Sequence, residues 1–116
     1  DPNLINVTSC ILDQARGGVG TTGTTMLSYT NNKLKKIVSI YFCNTTASTK
    51  TISMYDSNPG TNRYYLKDVD IPAKSTLVAV TKDAPIHFED VTHNLTAIAN
   101  ATGVDFSINW EEYDDA

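Results

Sequence analysis

Long apolar runs are missing from this chain of 116 residues. No stretch approaches the roughly 20 apolar residues that a membrane-spanning helix needs, so no membrane partner is expected. No secretory leader is recognisable. Asp rather than Met at position 1 leads us to expect that residues before it have been removed. Positive charge is also scarce: 9 Lys and Arg face 13 Asp and Glu, for a net charge of −4. The calculated pI near 4.9 argues against nucleic acid, whose binders carry a basic patch. The one local basic cluster, Lys33-Leu-Lys-Lys36, reads as solvated charge leading into a strand.

Lysine is absent from the first 32 residues. The glycine-rich stretch Gly17-Gly-Val-Gly-Thr-Thr-Gly-Thr-Thr25 therefore cannot be a phosphate-binding P-loop, which requires Gly-Lys-Ser/Thr at its end. It reads instead as an extended arm or loop. Only two cysteines occur, Cys10 and Cys43, both in strand-like surroundings. A disulfide is one reading and two reduced thiols the other, and we expect the thiols. An apolar setting raises a thiol pKa and makes it a poor nucleophile. The two histidines, His87 and His93, lie near Asp83, Glu89 and Asp90, in a spacing that matches no common zinc pattern. No metal or other cofactor is expected. The acidic tail Glu111-Glu-Tyr-Asp-Asp115 reads as a solvated end in preference to a calcium site. No nucleophile–base–acid arrangement has supporting context, so an enzyme is not expected. Four Asn-x-Ser/Thr sequons begin at Asn6, Asn44, Asn94 and Asn100, in a chain rich enough in Asn and Thr to produce them by chance.

What is present is strand. Lys36–Asn44 is the longest β-branched and aromatic run, with Val38, Ile40 and Phe42 forming a wholly apolar face. Asn44-Thr-Thr-Ala-Ser-Thr then reads as a turn, and Lys50–Tyr55 as the returning strand of a central hairpin. Asp56-Ser-Asn-Pro-Gly-Thr-Asn62 is dense in turn formers and reads as an exposed loop. Arg63–Leu66, Thr76–Thr81, Ile86–Phe88 and Asn94–Ala99 follow as short strands. The last strand is the cleanest, with Val104, Phe106, Ile108 and Trp110 alternating with Asp105, Ser107, Asn109 and Glu111. Trp110 should be buried against Val38, Ile40 and Phe42. No segment has a capped 3.6-residue period. The expectation is an all-β, antiparallel, jelly-roll-like sandwich of about 7 or 8 strands spanning residues 31–116. One such domain buries roughly 65% of its unfolded surface. Residues 1–30 precede it either as an arm laid on a neighbouring subunit or as an edge strand of the same sandwich.

The pieces Ile37-Val-Ser-Ile-Tyr-Phe-Cys-Asn44, Thr51-Ile-Ser-Met-Tyr55 and Asp70-Ile-Pro-Ala-Lys-Ser-Thr-Leu-Val78 come in that order. Ile86-His-Phe-Glu-Asp90, Leu95-Thr-Ala-Ile-Ala99 and Ser107-Ile-Asn-Trp-Glu-Glu-Tyr113 complete the series. The series resembles small β-sandwich virion structural proteins of tailed bacteriophages, those of marine cyanobacterial phages above all. The opening Leu4-Ile-Asn-Val-Thr-Ser9 is similar as well. Phe88-Glu-Asp-Val-Thr departs from the pattern by lacking a glycine at its turn. The resemblance implies a non-enzymatic particle component, placed as capsid decoration, neck or tail surface, and assembled in the host cytoplasm. Its partners would be other virion proteins, including further copies of itself. The residues expected to make those contacts are Leu4, Ile5, Val7, Ile11 and Leu12 in the arm, and Tyr64 and Tyr65 beside the 56–62 loop. Those tyrosines read equally well as strand-end packing. Two rival readings are a carbohydrate-binding module of an adsorption apparatus, stacking sugars on Tyr64, Tyr65 and Trp110, and an enzyme using His87 with Asp83 or Glu89.

Overall fold

The computed structural model describes residues 10–28, 33–58, 61–81, 86–88 and 94–114. Among them are nine strands and no helix: β1 Cys10–Val19, β2 Thr24–Ser28, β3 Lys33–Asn44, β4 Lys50–Asn58 and β5 Thr61–Ile71, then β6 Thr76–Val80, β7 Ile86–Phe88, β8 Asn94–Ala99 and β9 Val104–Asp114. All pairings are antiparallel. One sheet runs β1-β9-β3-β6, with β7 also on β3, and the other runs β2-β8-β4-β5. β6 pairs with residues 40–43 of β3 and β7 with residues 35–37, so the two act as one interrupted edge strand. Counted so, the eight strands follow the jelly-roll order, the expected fold class.

The core lies between the sheets. Ile37, Ile40, Phe42, Val104, Phe106, Ile108 and Trp110 face Met26, Leu27, Ile52, Met54, Ile71, Leu95, Ala97 and Ala99. Trp110 is buried as expected, at 8% exposure. Its partner across the ladder is Ile37 rather than Val38. A bulge explains this: Ile37 pairs with Trp110 and Ser39 with Asn109, leaving Val38 as the extra residue. The bulge reverses the alternation, so Ile37 shares the inner face with Ile40 and Phe42, and Val38 is only half-buried.

Three further expectations are corrected. β3 and β4 do not form a hairpin, because β3 pairs with β9, β6 and β7, and β4 with β5 and β8. Residues 45–49 instead carry the chain from one sheet to the other. The reason is packing: Ile40 and Phe42 are best buried against Ile52 and Met54 across the sandwich, not beside them. The 56–62 stretch is mostly strand, and Asp56 is buried. The segment at 17–25 is less loop-like than its glycines suggest, since β1 extends to Val19 and β2 starts at Thr24.

Asn44 organises one end of the sandwich. It is fully buried, and its Nδ2 donates to the carbonyls of Ser48 (2.8 Å) and Ile71 (2.9 Å). Its Oδ1 accepts from Thr46 N (2.9 Å) and Thr46 Oγ1 (2.7 Å). Thr45 N donates to Gly103 O (3.0 Å), which draws in the connection before β9. A side chain so engaged is no glycan acceptor.

Candidate interaction surface

β1 forms one margin of its sheet. It pairs with β9 from Cys10 to Val19 without a register shift. Every other sheet margin among the described residues is irregular. β2 shifts register at Met26. The β6–β7 edge is broken in two and shifts between Ile40 and Tyr41 of its partner. β5 shifts twice against β4 and holds Asp68 at φ 50°. There Ser53 Oγ accepts from Asp68 N at 2.9 Å and pins the bulge. Bulges of this kind twist an edge away from chance pairing, whereas a long regular edge remains a template for another strand.

Side chains on β1 follow from β9. Ala15 and Val19 turn to the core, so Leu12, Gln14, Arg16 and Gly18 line the outer face. Leu12 is 76% exposed, the most exposed large apolar side chain described. The same outer face carries Tyr41 and Val78 as exposed ladder partners. It also holds the pair Asn109 Nδ2 to Ser39 Oγ (2.8 Å) and the half-buried thiol of Cys43. Arg16, Gly17, Gly18, Asp105 and Phe106 border an open groove along the β1 edge.

Of the residues expected to bind partners, Leu4, Ile5 and Val7 lie outside the described residues. Ile11 pairs with Glu112 through the main chain. Tyr64 (47% exposed) and Tyr65 (44%) lie on β5, in the other sheet from Leu12. The expected set thus falls on two separate margins rather than on one patch. Tyr64 packs on Tyr55 with ring centroids 5.1 Å apart and lies under Lys67 Nζ at 4.6 Å. Tyr65 is the extra residue of a β5 bulge. Burial, then the nearby Asp56 carboxylate, hold its phenol pKa above the usual 10.0. Burial of Trp110 removes it from any sugar-stacking surface. Tyr41 and Val78 were missed from sequence. Tyr41 does fall on the outer face with Ser39 and Cys43, but Val78 stands in a run that reads as wholly buried.

At the opposite end from Asn44, Lys35 lies almost fully buried. Its Nζ donates to Ser28 O at 2.6 Å, stands 3.7 Å from Glu112 Oε1 and lies 5.9 Å from the Trp110 ring centre. This cation is held by structural partners. No group of three or more potential metal ligands occurs among the described residues. β7 places His87 against Lys36 through the main chain, while Asp83, Glu89 and His93 lie outside the described residues.

Strand register also separates the cysteines. Cys10 pairs with Tyr113 and Cys43 with Asp105, so the two lie eight ladder positions apart along the sheet. At about 3.3 Å per residue that is roughly 26 Å, far beyond the ~7 Å limit for a bridge. A disulfide within one chain is out of reach.

The fold defines the class as an antiparallel jelly-roll β-sandwich. No family model and no curated protein matches the sequence. Among solved structures, one described as "Bacillus endospore appendages form a novel family of disulfide-linked pili" superposes with a TM-score of 0.52 at 10% identity. The match covers 93% of this chain and 90% of that one, a likeness of fold across the whole domain.

Proposed function

We propose that the protein is a non-enzymatic structural subunit that acts through contacts with neighbouring subunits in a larger particle. The observation that carries this reading is the ten-residue β1 edge, regular and open, with Leu12 exposed upon it. Main-chain pairing at such an edge joins subunits without a pocket or a catalytic group. The exposed Tyr41–Val78 pair on the same sheet supplies a second apolar contact. The particle we favour is a tailed-phage virion, with this chain as capsid decoration or a neck or tail surface component. The sequence resemblance supports that choice, and its Asp70–Val78 piece forms the tight β5–β6 turn leading onto the exposed strand. A filament subunit is the second reading, favoured by the pilus protein whose fold runs the length of this chain.

Quantitative mass spectrometry of purified particles tests the proposal. Hundreds of copies per particle fit capsid decoration, while about six or twelve fit a neck or tail ring of closed symmetry. Long homopolymers of the purified chain would favour the filament. A chain abundant in infected cells yet absent from purified particles, and not polymeric, would overturn both.

A further inference from the structure

We propose that β1 pairs with β1 of a second copy across a two-fold axis at Gln14, joining two sandwiches through one continuous sheet. The inference rests on the subunit reading above and names the partner and the register. A main-chain ladder needs a regular edge on both sides, and among the described residues each copy offers only β1. Two copies using the same edge form an isologous, closed pair.

The register follows from which groups face outward. Gln14 N donates to Asp13 Oδ1 at 2.8 Å. Asn44 N turns away from its β9 partner Val104 to Ser75 O, so the main-chain groups of Val104, Phe106 and Ile108 face β1 and meet Val19, Gly17 and Ala15. N–H and C=O groups alternate sides along a strand, so those of Leu12, Gln14 and Arg16 point to the open edge. A two-fold axis perpendicular to the sheet brings Gln14 opposite Gln14 of the second copy, where each main chain donates to and accepts from the other. The Asp13 carboxylate then gives up one donor and stays in water, where it is already exposed. The Gln14 side-chain amides meet on the outer face, each with a donor and an acceptor to offer.

Charge complements this register. It places Leu12 opposite Arg16 of the second copy, and Leu12 itself pairs with Glu111 on β9. Arg16 of one copy therefore lies level with Glu111 of the other, two strand spacings or about 10 Å away, within reach of two long side chains. Neither residue has an ion pair among the described residues. Leu12 is covered by the aliphatic stem of that arginine, which removes the most exposed large apolar side chain described from water.

Sedimentation of the full chain at micromolar concentration should show a dimer. In a Cys10→Ser, Cys43→Ser background, Gln14→Cys should form a covalent dimer on mild oxidation, because facing residues of antiparallel strands lie within disulfide reach. Val78→Cys in the same background should not cross-link. Arg16→Glu should weaken the dimer at least tenfold, and adding Glu111→Arg should restore it. A monomer throughout, or a dimer indifferent to Arg16→Glu and to Gln14→Cys oxidation, overturns the inference. A chain found in particles but monomeric in solution removes this register alone and leaves the subunit reading in place.

Discussion

Asn44 shows how one side chain can hold several connections. Truncating it to Ala leaves the buried Ile71 carbonyl and Thr46 N short of a partner, while the Ser48 carbonyl keeps Thr46 Oγ1. Each unsatisfied buried group costs about 1–3 kcal/mol, so Asn44→Ala should lose roughly 3 kcal/mol in urea unfolding. Gly103 is constrained by both backbone and space: its φ is +108°, and an added Cβ would stand 2.3 Å from Thr46 Cγ2. Gly103→Ala should cost more than about 1 kcal/mol. Thr46→Ser, which deletes that methyl and keeps the hydroxyl, should recover part of the loss. The residues in these two roles read from sequence only as turn formers. Their partners at 46–48 and 71–72 come together only when both sheets are assembled, which local composition cannot reveal. Tyr65 gives a pH signature. Burial and Asp56 raise its pKa in the fold. The unfolded chain then releases the proton first, so stability is intact below about pH 10 and falls as pH rises beyond it. Tyr65→Phe should flatten that alkaline decline in denaturation midpoints.

Strands differ in how plainly their sequences declare them. β9 alternates strictly, and its inner row Val104, Phe106, Ile108 and Trp110 is buried throughout. β3 carries a stronger apolar signal, yet its inner face is displaced because Val38 is a bulge. Period-two reading assumes unbroken alternation, and one inserted residue exchanges the faces on one side of it. The same limit left only Arg63–Leu66 of β5 legible as a strand, because its two bulges scatter its apolar residues among exposed ones. At this scale, Trp110→Ala should cost about 3–5 kcal/mol, since the indole is packed between the sheets. Val38→Ala should cost far less, at most about 1 kcal/mol, because the side chain is half-buried. Deleting Val38 should be worse than either. It would force Ile37 and Lys35 off the inner face, or break the ladder to β9. Thermal melts should place Val38→Ala highest of the three, Trp110→Ala below it and the deletion lowest.

The whole molecule is held by the way its first two strands close it. β1 pairs along ten residues with β9, and β2 lies beside β8, so the described part of the 1–30 segment belongs to the sandwich as an edge rather than to a detached arm. Composition pointed toward an arm because Gly17, Gly18 and Gly20 offer little surface to bury. The glycines are compatible with the strand because Phe106 already fills the space beneath: a Cβ at Gly17 would come 3.1 Å from its ring. A chain starting at Met26 would lose the strand that covers one flank of β9, exposing Phe106, Ile108 and Trp110 along that margin. It would also lose Val19 from the core and the Gly20 carbonyl that accepts Ala99 N. Burial of the aromatic and aliphatic side chains of β9 contributes about 1.5–3 kcal/mol each, against a net stability of only about 5–15 kcal/mol for a domain. Uncovering several at once should exceed that margin. The truncated protein should therefore show the circular dichroism and amide dispersion of an unfolded chain. A chain starting at Ser9, which keeps β1 whole, should melt within a few degrees of the full-length protein. If the Met26 truncation instead stays folded, β1 and β2 are dispensable to the core, and the jelly roll closes without them.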